Sequence, residues 1–156
     1  MFKKIKDILK KKNKSKIVCL TAYSTNIAKI TDKYCDITLV GDSLANVLYG
    51  MKDTHRVDLQ TIIQHSISVR KGIKKSLMVV DMPKGSYKTP SQAKKNAKKI
   101  YYKTNCDAVK IESNNKNFKI IKEIIKAKIP VMGHIGYTPQ FKKKFKVEGK
   151  NSKEMK

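Results

Sequence analysis

Several things are scarce in this sequence, and each scarcity narrows what the chain does. No apolar run approaches the ~20 residues that a membrane-spanning helix needs, so nothing in these 156 residues reads as a helical span. Cysteine occurs only at Cys19, Cys35 and Cys106, far apart and without a CxxC pair, which removes both a zinc ribbon and a disulfide framework and fits a reducing, cytoplasmic setting. Arginine occurs only at Arg56 and Arg70. Acidic residues number 12 against 36 basic ones, leaving a formal charge of +24. Length is short as well: one core is expected, below the ~250 residues of a complete (β/α)8 barrel.

The positive charge is almost entirely lysine, and lysine, asparagine and isoleucine share codons rich in A and T, so a base-biased genome yields this composition on any surface. A basic nucleic-acid-binding module remains an alternative on charge alone. Its usual signs are missing, however. Readers of nucleic acid favour the planar fork of arginine and aromatic stacking platforms, whereas the runs at Lys10–Lys12, Lys94–Lys99 and Lys142–Lys144 have neither. No specific nucleic-acid partner and no membrane partner is therefore expected. In the basic segment Met1 to Lys16, Phe2, Ile5, Ile8 and Leu9 recur at helical spacing without the apolar block of a signal peptide, predicting a surface helix over 1–14.

From Ile17 onward the chain alternates between two periodicities. Short β-branched runs at Ile17–Ala22, Ile37–Val40, Ser76–Val80, Ala108–Ile111 and Ile129–Met132 read as buried strands. Between them lie helical patterns: from Ser24 with Ile27, Ala28 and Ile30 or Thr31 on one face, from an Asp58 cap through Val69, from Thr89 and Pro90, and over Phe118–Ala127. Ile62, Ile63, Ser66 and Val69 are expected to share the buried face of the second helix. Continuous apolar strands separated by helices imply a parallel α/β sheet, either doubly wound or a barrel. The segment 141–156 reads as a Lys-rich irregular tail, and no linker divides residues 1–156 into two domains.

Scarce acids make their positions informative. Asp42, Asp81 and Glu112 each follow a predicted strand, on the face where parallel α/β folds build their sites. Either each caps a helix or anchors a turn, or the three converge and need a cation between them. An all-oxygen set without cysteine or paired histidine suits Mg2+, which leaves room for the oxygens of an α-keto acid. Lys110 shares the strand face of Glu112, where it either pairs with a carboxylate or holds an anionic substrate. His134, at the end of the fifth strand, is either a structural residue or part of the mouth.

The strings LVGDSL from Leu39, DMPKGSY from Asp81, VKIE from Val109 and GHIGYTPQ from Gly133, with TAY at Thr21 and KVEGK near Lys146, resemble the ketopantoate hydroxymethyltransferase family in order and spacing. The resemblance implies a (β/α)8 barrel of the TIM type, truncated here after about five strands. It implies transfer of a hydroxymethyl group from 5,10-methylenetetrahydrofolate to 3-methyl-2-oxobutanoate, giving 2-dehydropantoate in pantothenate biosynthesis. By motif it assigns Asp42, Asp81 and Glu112 to Mg2+ and Asp42, Ser43, Asp81 and Lys110 to the keto acid, and it implies a homo-oligomer. The family's proton acceptor is a glutamate on a later strand, past Lys156, so the isolated chain is expected to lack turnover. Two departures stand out: Lys84, where the family has an aromatic residue, and Lys143 with Lys144, where it has small glycines. A second alternative is another metal-dependent barrel enzyme acting on keto acids.

Overall fold

The structure, a computed structural model, describes residues 2–114 and 117–142, with side chains from residue 5 onward. The predicted lysine-rich tail and the departures at Lys143 and Lys144 thus fall almost wholly outside the described residues. Five strands, β1 (Cys19–Thr21), β2 (Ile37–Val40), β3 (Leu77–Asp81), β4 (Ala108–Glu112) and β5 (Val131–His134), alternate with helices. The helices are α1 (Phe2–Lys10), α2 (Thr25–Tyr34), α3 (Leu44–Val47), α4 (Leu59–Arg70), α5 (Pro90–Thr104) and α6 (Phe118–Lys126).

Local signals set most of these boundaries. Asp58 Oδ1 accepts the Thr61 N–H at 2.7 Å and starts α4, which buries Ile62, Ile63, Ser66 and Val69 as expected. Thr89 Oγ1 accepts the Gln92 N–H at 3.2 Å with Pro90 in the first turn of α5. That helix ends at Asn105 in the left-handed conformation, φ 51°. Strands β3 and β4 run one residue further than their apolar stretches, so Asp81 and Glu112 are the last residues of strands. The expected face of α2 is borne out at Ala28 and Thr31 and needs correction at Ile27: Ala28, Thr31 and Asp32 are its buried residues, while Ile27 and Ile30 are exposed, as are Val18 and Leu20 of the first strand region. Spacing identifies an apolar stripe, but Thr31 and Asp32 are drawn inward by hydrogen bonds that hydropathy does not register.

All strands are parallel and their order in the sheet is β1-β2-β3-β4-β5. A doubly wound sheet reverses its strand order at a switch point and carries helices on both faces. Here the order never reverses, and α2, α4, α5 and α6 pack side by side on one face. This is the winding of a (β/α) barrel, present as an arc of five strands.

Strand alternation divides the core in two. Outward-facing Val40, Met78, Val80, Val109 and Ile111 pack against Ala28, Ile63, Ala97, Ile100 and Ile124 of the helices. Inward-facing Ile37, Leu77, Val79 and Ala108 form a second cluster, against which Ile5 and Ile8 of α1 pack at the N-terminal ends of the strands. Further along the same inward rows the chemistry changes: Asp81 lies beside Lys110 and Glu112 beside His134 in register. The interior of the arc is thus apolar at the bottom and ionisable at the top.

Candidate active site

Acids at the two ends of the sheet behave differently, and this separates anchoring from chemistry. At the bottom, Asp32 Oδ1 accepts the N–H groups of Lys75 and Ser76, each at 2.8 Å, Asp36 Oδ2 accepts that of Val18 at 3.0 Å, and Asp107 Oδ2 accepts that of Met78 at 2.8 Å. The Asp36 and Asp107 bonds tie the start of one strand to the next, and the Asp32 bonds tie α2 to the segment before β3. Against some burial, backbone donors hold the Asp32 carboxyl below its ordinary range, and the Lys11 ammonium with the Val18 N–H does the same for Asp36. At the top, burial together with the charge of Asp81 pushes Asp42 up. Burial pushes Glu112 up to about 7, opposed by the Gln140 N–H and reinforced by the charge of Asp42. Unlike Asp58, neither Asp42 nor Glu112 caps a helix. They are buried acids short of compensating charge.

The mouth is assembled from four strand ends. Asp81 Oδ1 pairs with Lys110 Nζ at 2.5 Å, and its Oδ2 accepts the Asp42 N–H at 3.1 Å, so β3 sits between the ends of β2 and β4. Of the two readings of Lys110, the carboxylate pair is the one observed, on the strand face that it shares with Glu112. Gly41 permits this crowding, because a Cβ there would lie 2.8 Å from Ser43 Oγ and 3.4 Å from Asp81 Oδ2. Ser43 Oγ bonds the Tyr23 hydroxyl at 2.8 Å, and His65 Nδ1 in turn reaches the Tyr23 carbonyl at 2.8 Å. His134 Nδ1 lies 3.9 Å from Glu112 Oε1, too far for a hydrogen bond, and is a buried nitrogen with no partner. Burial and the Lys110 charge hold its pKa low, so the ring is neutral at pH 7. A cleft of about 980 Å3 opens above, lined among others by Asp42, Ser43, Thr54, His55, His134 and Tyr137.

Three carboxylates with one ammonium and a neutral imidazole leave a surplus of negative charge in a buried, all-oxygen mouth. That donor chemistry fits a hard divalent cation, and the orphaned His134 nitrogen fits a mouth built to receive a further polar group. Among the described residues no three His, Cys, Asp or Glu side chains already form a ligand cage.

Sequence reasoning passed over Gln140, which is 3% exposed. Its Nε2 donates to Asp42 Oδ2 at 2.8 Å and to the Met82 carbonyl at 3.1 Å, and its N–H reaches both oxygens of Glu112 at 3.2 and 3.1 Å. The Tyr87 hydroxyl donates to Gln140 Oε1. No periodicity marks Gln140, since it sits in the turn after β5, and the only signal that includes it is the family-like string GYTPQ.

Comparison with known proteins settles the family. A sequence model of ketopantoate hydroxymethyltransferase matches residues 3–156. The chain belongs to that family. The 3-methyl-2-oxobutanoate hydroxymethyltransferase of Pelagibacter ubique (strain HTCC1062) is 56% identical over 156 residues, covering 100% of this chain and 61% of the relative. That of Chelativorans sp. (strain BNC1) is 47% identical over 135 residues, covering 86% of this chain and 48% of the relative. The chain thus spans between about half and three-fifths of the length of these curated relatives. Among solved structures, phosphonopyruvate hydrolase in complex with oxalate and Mg++ superposes with a TM-score of 0.69 at 10% identity, covering 85% of this chain and 52% of that one. A 2,3-dimethylmalate lyase, a member of the PEP mutase/isocitrate lyase superfamily, gives 0.63 at 14% identity over 85% of this chain and 54% of that one. At these identities the likeness concerns the fold, and it agrees with the barrel winding. Among the described residues no helix is long and apolar enough to cross a membrane.

Proposed function

We propose that this chain carries the metal and keto-acid half of a 3-methyl-2-oxobutanoate hydroxymethyltransferase acting in pantothenate biosynthesis in the cytoplasm. One observation carries the reading: Asp42, Asp81 and Glu112, with Lys110 among them, stand together at the strand ends of a chain 56% identical to a curated enzyme of that name. Asp42, Asp81 and Glu112 would hold Mg2+, whose charge polarises the carbonyl of the keto acid and acidifies its C3–H. Lys110 Nζ, already on Asp81, is placed to share its protons with the substrate carboxylate. Ser43 Oγ, bonded to the Tyr23 hydroxyl, would offer the substrate a hydroxyl next to Asp42 in the chain. The apolar rows beneath Asp81 and Lys110 exclude water from below and strengthen these interactions. The C3 carbanion would form a bond to the methylene carbon of 5,10-methylenetetrahydrofolate as co-substrate, with water supplying the hydroxyl and protons as both carbon–nitrogen bonds break and tetrahydrofolate leaves. Homo-oligomerisation belongs to the same reading, supported by the apolar side chains of Val18, Leu20, Ile27, Ile30 and Tyr34 exposed at the β1 edge.

Calorimetric titration of the chain with 3-methyl-2-oxobutanoate, with and without Mg2+, tests the proposal. Metal-dependent binding that prefers the branched acid over 2-oxobutanoate and disappears in Asp42→Ala and Asp81→Ala is expected. Saturable binding that survives both substitutions would overturn it.

A further inference from the structure

A single residue outside the three acids determines how two of them are presented. Gln140 holds Asp42 through its side chain and Glu112 through its backbone N–H, so the spacing between these carboxylates is set by the length of one glutamine rather than by two independent loops. The amide orientation is fixed by the neighbours. Asp42 Oδ2 and the Met82 carbonyl both accept and cannot donate, so the NH2 must face them and Oε1 must face Tyr87. Tyr87 is a dependable donor, because burial and the surrounding charges of Glu112, Asp42 and Asp81 push its hydroxyl pKa far up. Gln140 thus engages one named oxygen of Asp42, Oδ2, and the Thr54 hydroxyl also acts on this carboxyl. Glu112, whose two oxygens share one N–H, keeps lone pairs free on both.

We infer that Gln140 is a positioning residue for the cation site, with Tyr87 orienting its amide, and that the turn after β5 thereby sets the metal affinity of acids on β2 and β4. This rests on the reading of Asp42, Asp81 and Glu112 as metal ligands, and it concerns a residue that never touches the metal. Groups that orient metal ligands typically change affinity roughly 10- to 100-fold when removed, and that is the loss expected for Gln140→Ala. Gln140→Glu should lose more, because it sets a carboxylate against Asp42 and the Met82 carbonyl. Tyr87→Phe should lose less, since Asp42 and Met82 still orient the amide.

The experiment is titration of the full 156-residue chain with Mn2+ as a paramagnetic probe of the Mg2+ site, followed by water-proton relaxation. Chemical denaturation of each variant is run alongside, so that affinity is expressed per folded molecule. The expected order of affinity is wild type, Tyr87→Phe, Gln140→Ala, Gln140→Glu, with the folded fraction of each variant above nine-tenths in buffer or corrected for. Wild-type affinity in Gln140→Ala, with only its denaturation midpoint lowered, would show a structural role and overturn the inference while leaving the metal reading intact. Absence of Mn2+ binding in the wild type, unchanged in Asp42→Asn, would instead overturn the metal reading and the inference together.

Discussion

Glu112 gives the sharpest test of the electrostatics at the mouth. An unfolded glutamate titrates near pH ~4.3, whereas burial and the Asp42 charge push the folded group up to about 7. Between those values the folded chain keeps a proton that the unfolded chain has released. The raised group therefore contributes stability that is fully present below pH ~4.3 and lost as pH rises through about 7. Over the whole window this amounts to roughly 4 kcal/mol at ~1.4 kcal/mol per unit. His134 works in the opposite direction: its pKa is held low, so its contribution is present above ~6.5 and lost as pH falls. Between pH ~6.5 and ~8.5 the unfolded His134 still titrates and offsets part of the change, an offset that wild type and Glu112→Gln have in common, so the comparison between the two isolates Glu112. In that interval the protonated fraction of Glu112 falls from about three-quarters to a few per cent, which costs about 1 kcal/mol. For a chain of this size that is about 3 °C in Tm. Urea denaturation of the metal-free chain at the two pH values should show this loss in wild type and its absence in Glu112→Gln, where no proton is exchanged. Mg2+ competes with the proton, so it should stabilise the wild type more at the higher pH than at the lower. Equal pH slopes in wild type and Glu112→Gln would refute the argument, since charge effects elsewhere on this basic chain are common to both.

Other expectations concern the scaffold. Asp32→Ala removes the acceptor shared by the buried Ser76 N–H, the part-buried Lys75 N–H and the Ser76 hydroxyl and should cost roughly 2–4 kcal/mol in denaturation, with Asp32→Asn recovering part because it retains an acceptor oxygen. Gly72→Ala would place a Cβ 2.6 Å from the Thr25 carbonyl oxygen and 2.7 Å from Ala28 Cβ, so α4 must move away from α2 at about 1–3 kcal/mol; an unchanged midpoint would contradict that contact. Maleimide should label exposed Cys19 first, with Cys106 protected by 1% exposure and a thiol pKa pushed up by burial to about 11, until the chain unfolds. Mass spectrometry of the singly labelled protein identifies the site.

Much of the molecule is legible in the residue order because its causes are local. Asp58 and Thr89 cap helices through atoms three residues away, and β-branched runs bounded by turns become strands wherever they lie. Asp42, Asp81 and Glu112 stand out because acids are scarce in a chain of +24 and all three end apolar runs. Their common face also follows locally, from strand alternation and the C-terminal location of sites in parallel sheets. Periodicity alone left open whether those strands wind once or twice, because each strand and helix looks the same in either topology; only the family-like strings implied a barrel. The unreversed order β1-β2-β3-β4-β5 decided it. The same limit applies to the side chains of α2, where hydrogen bonds from β2 and the loop before β3 turned Thr31 and Asp32 inward and left Ile27 and Ile30 outside. It applies above all to Gln140, 98 residues from Asp42 in the chain and 2.8 Å from it in space. Periodicity reports which side of an element meets the core; partners supplied by distant segments are fixed only when the tertiary fold brings them together.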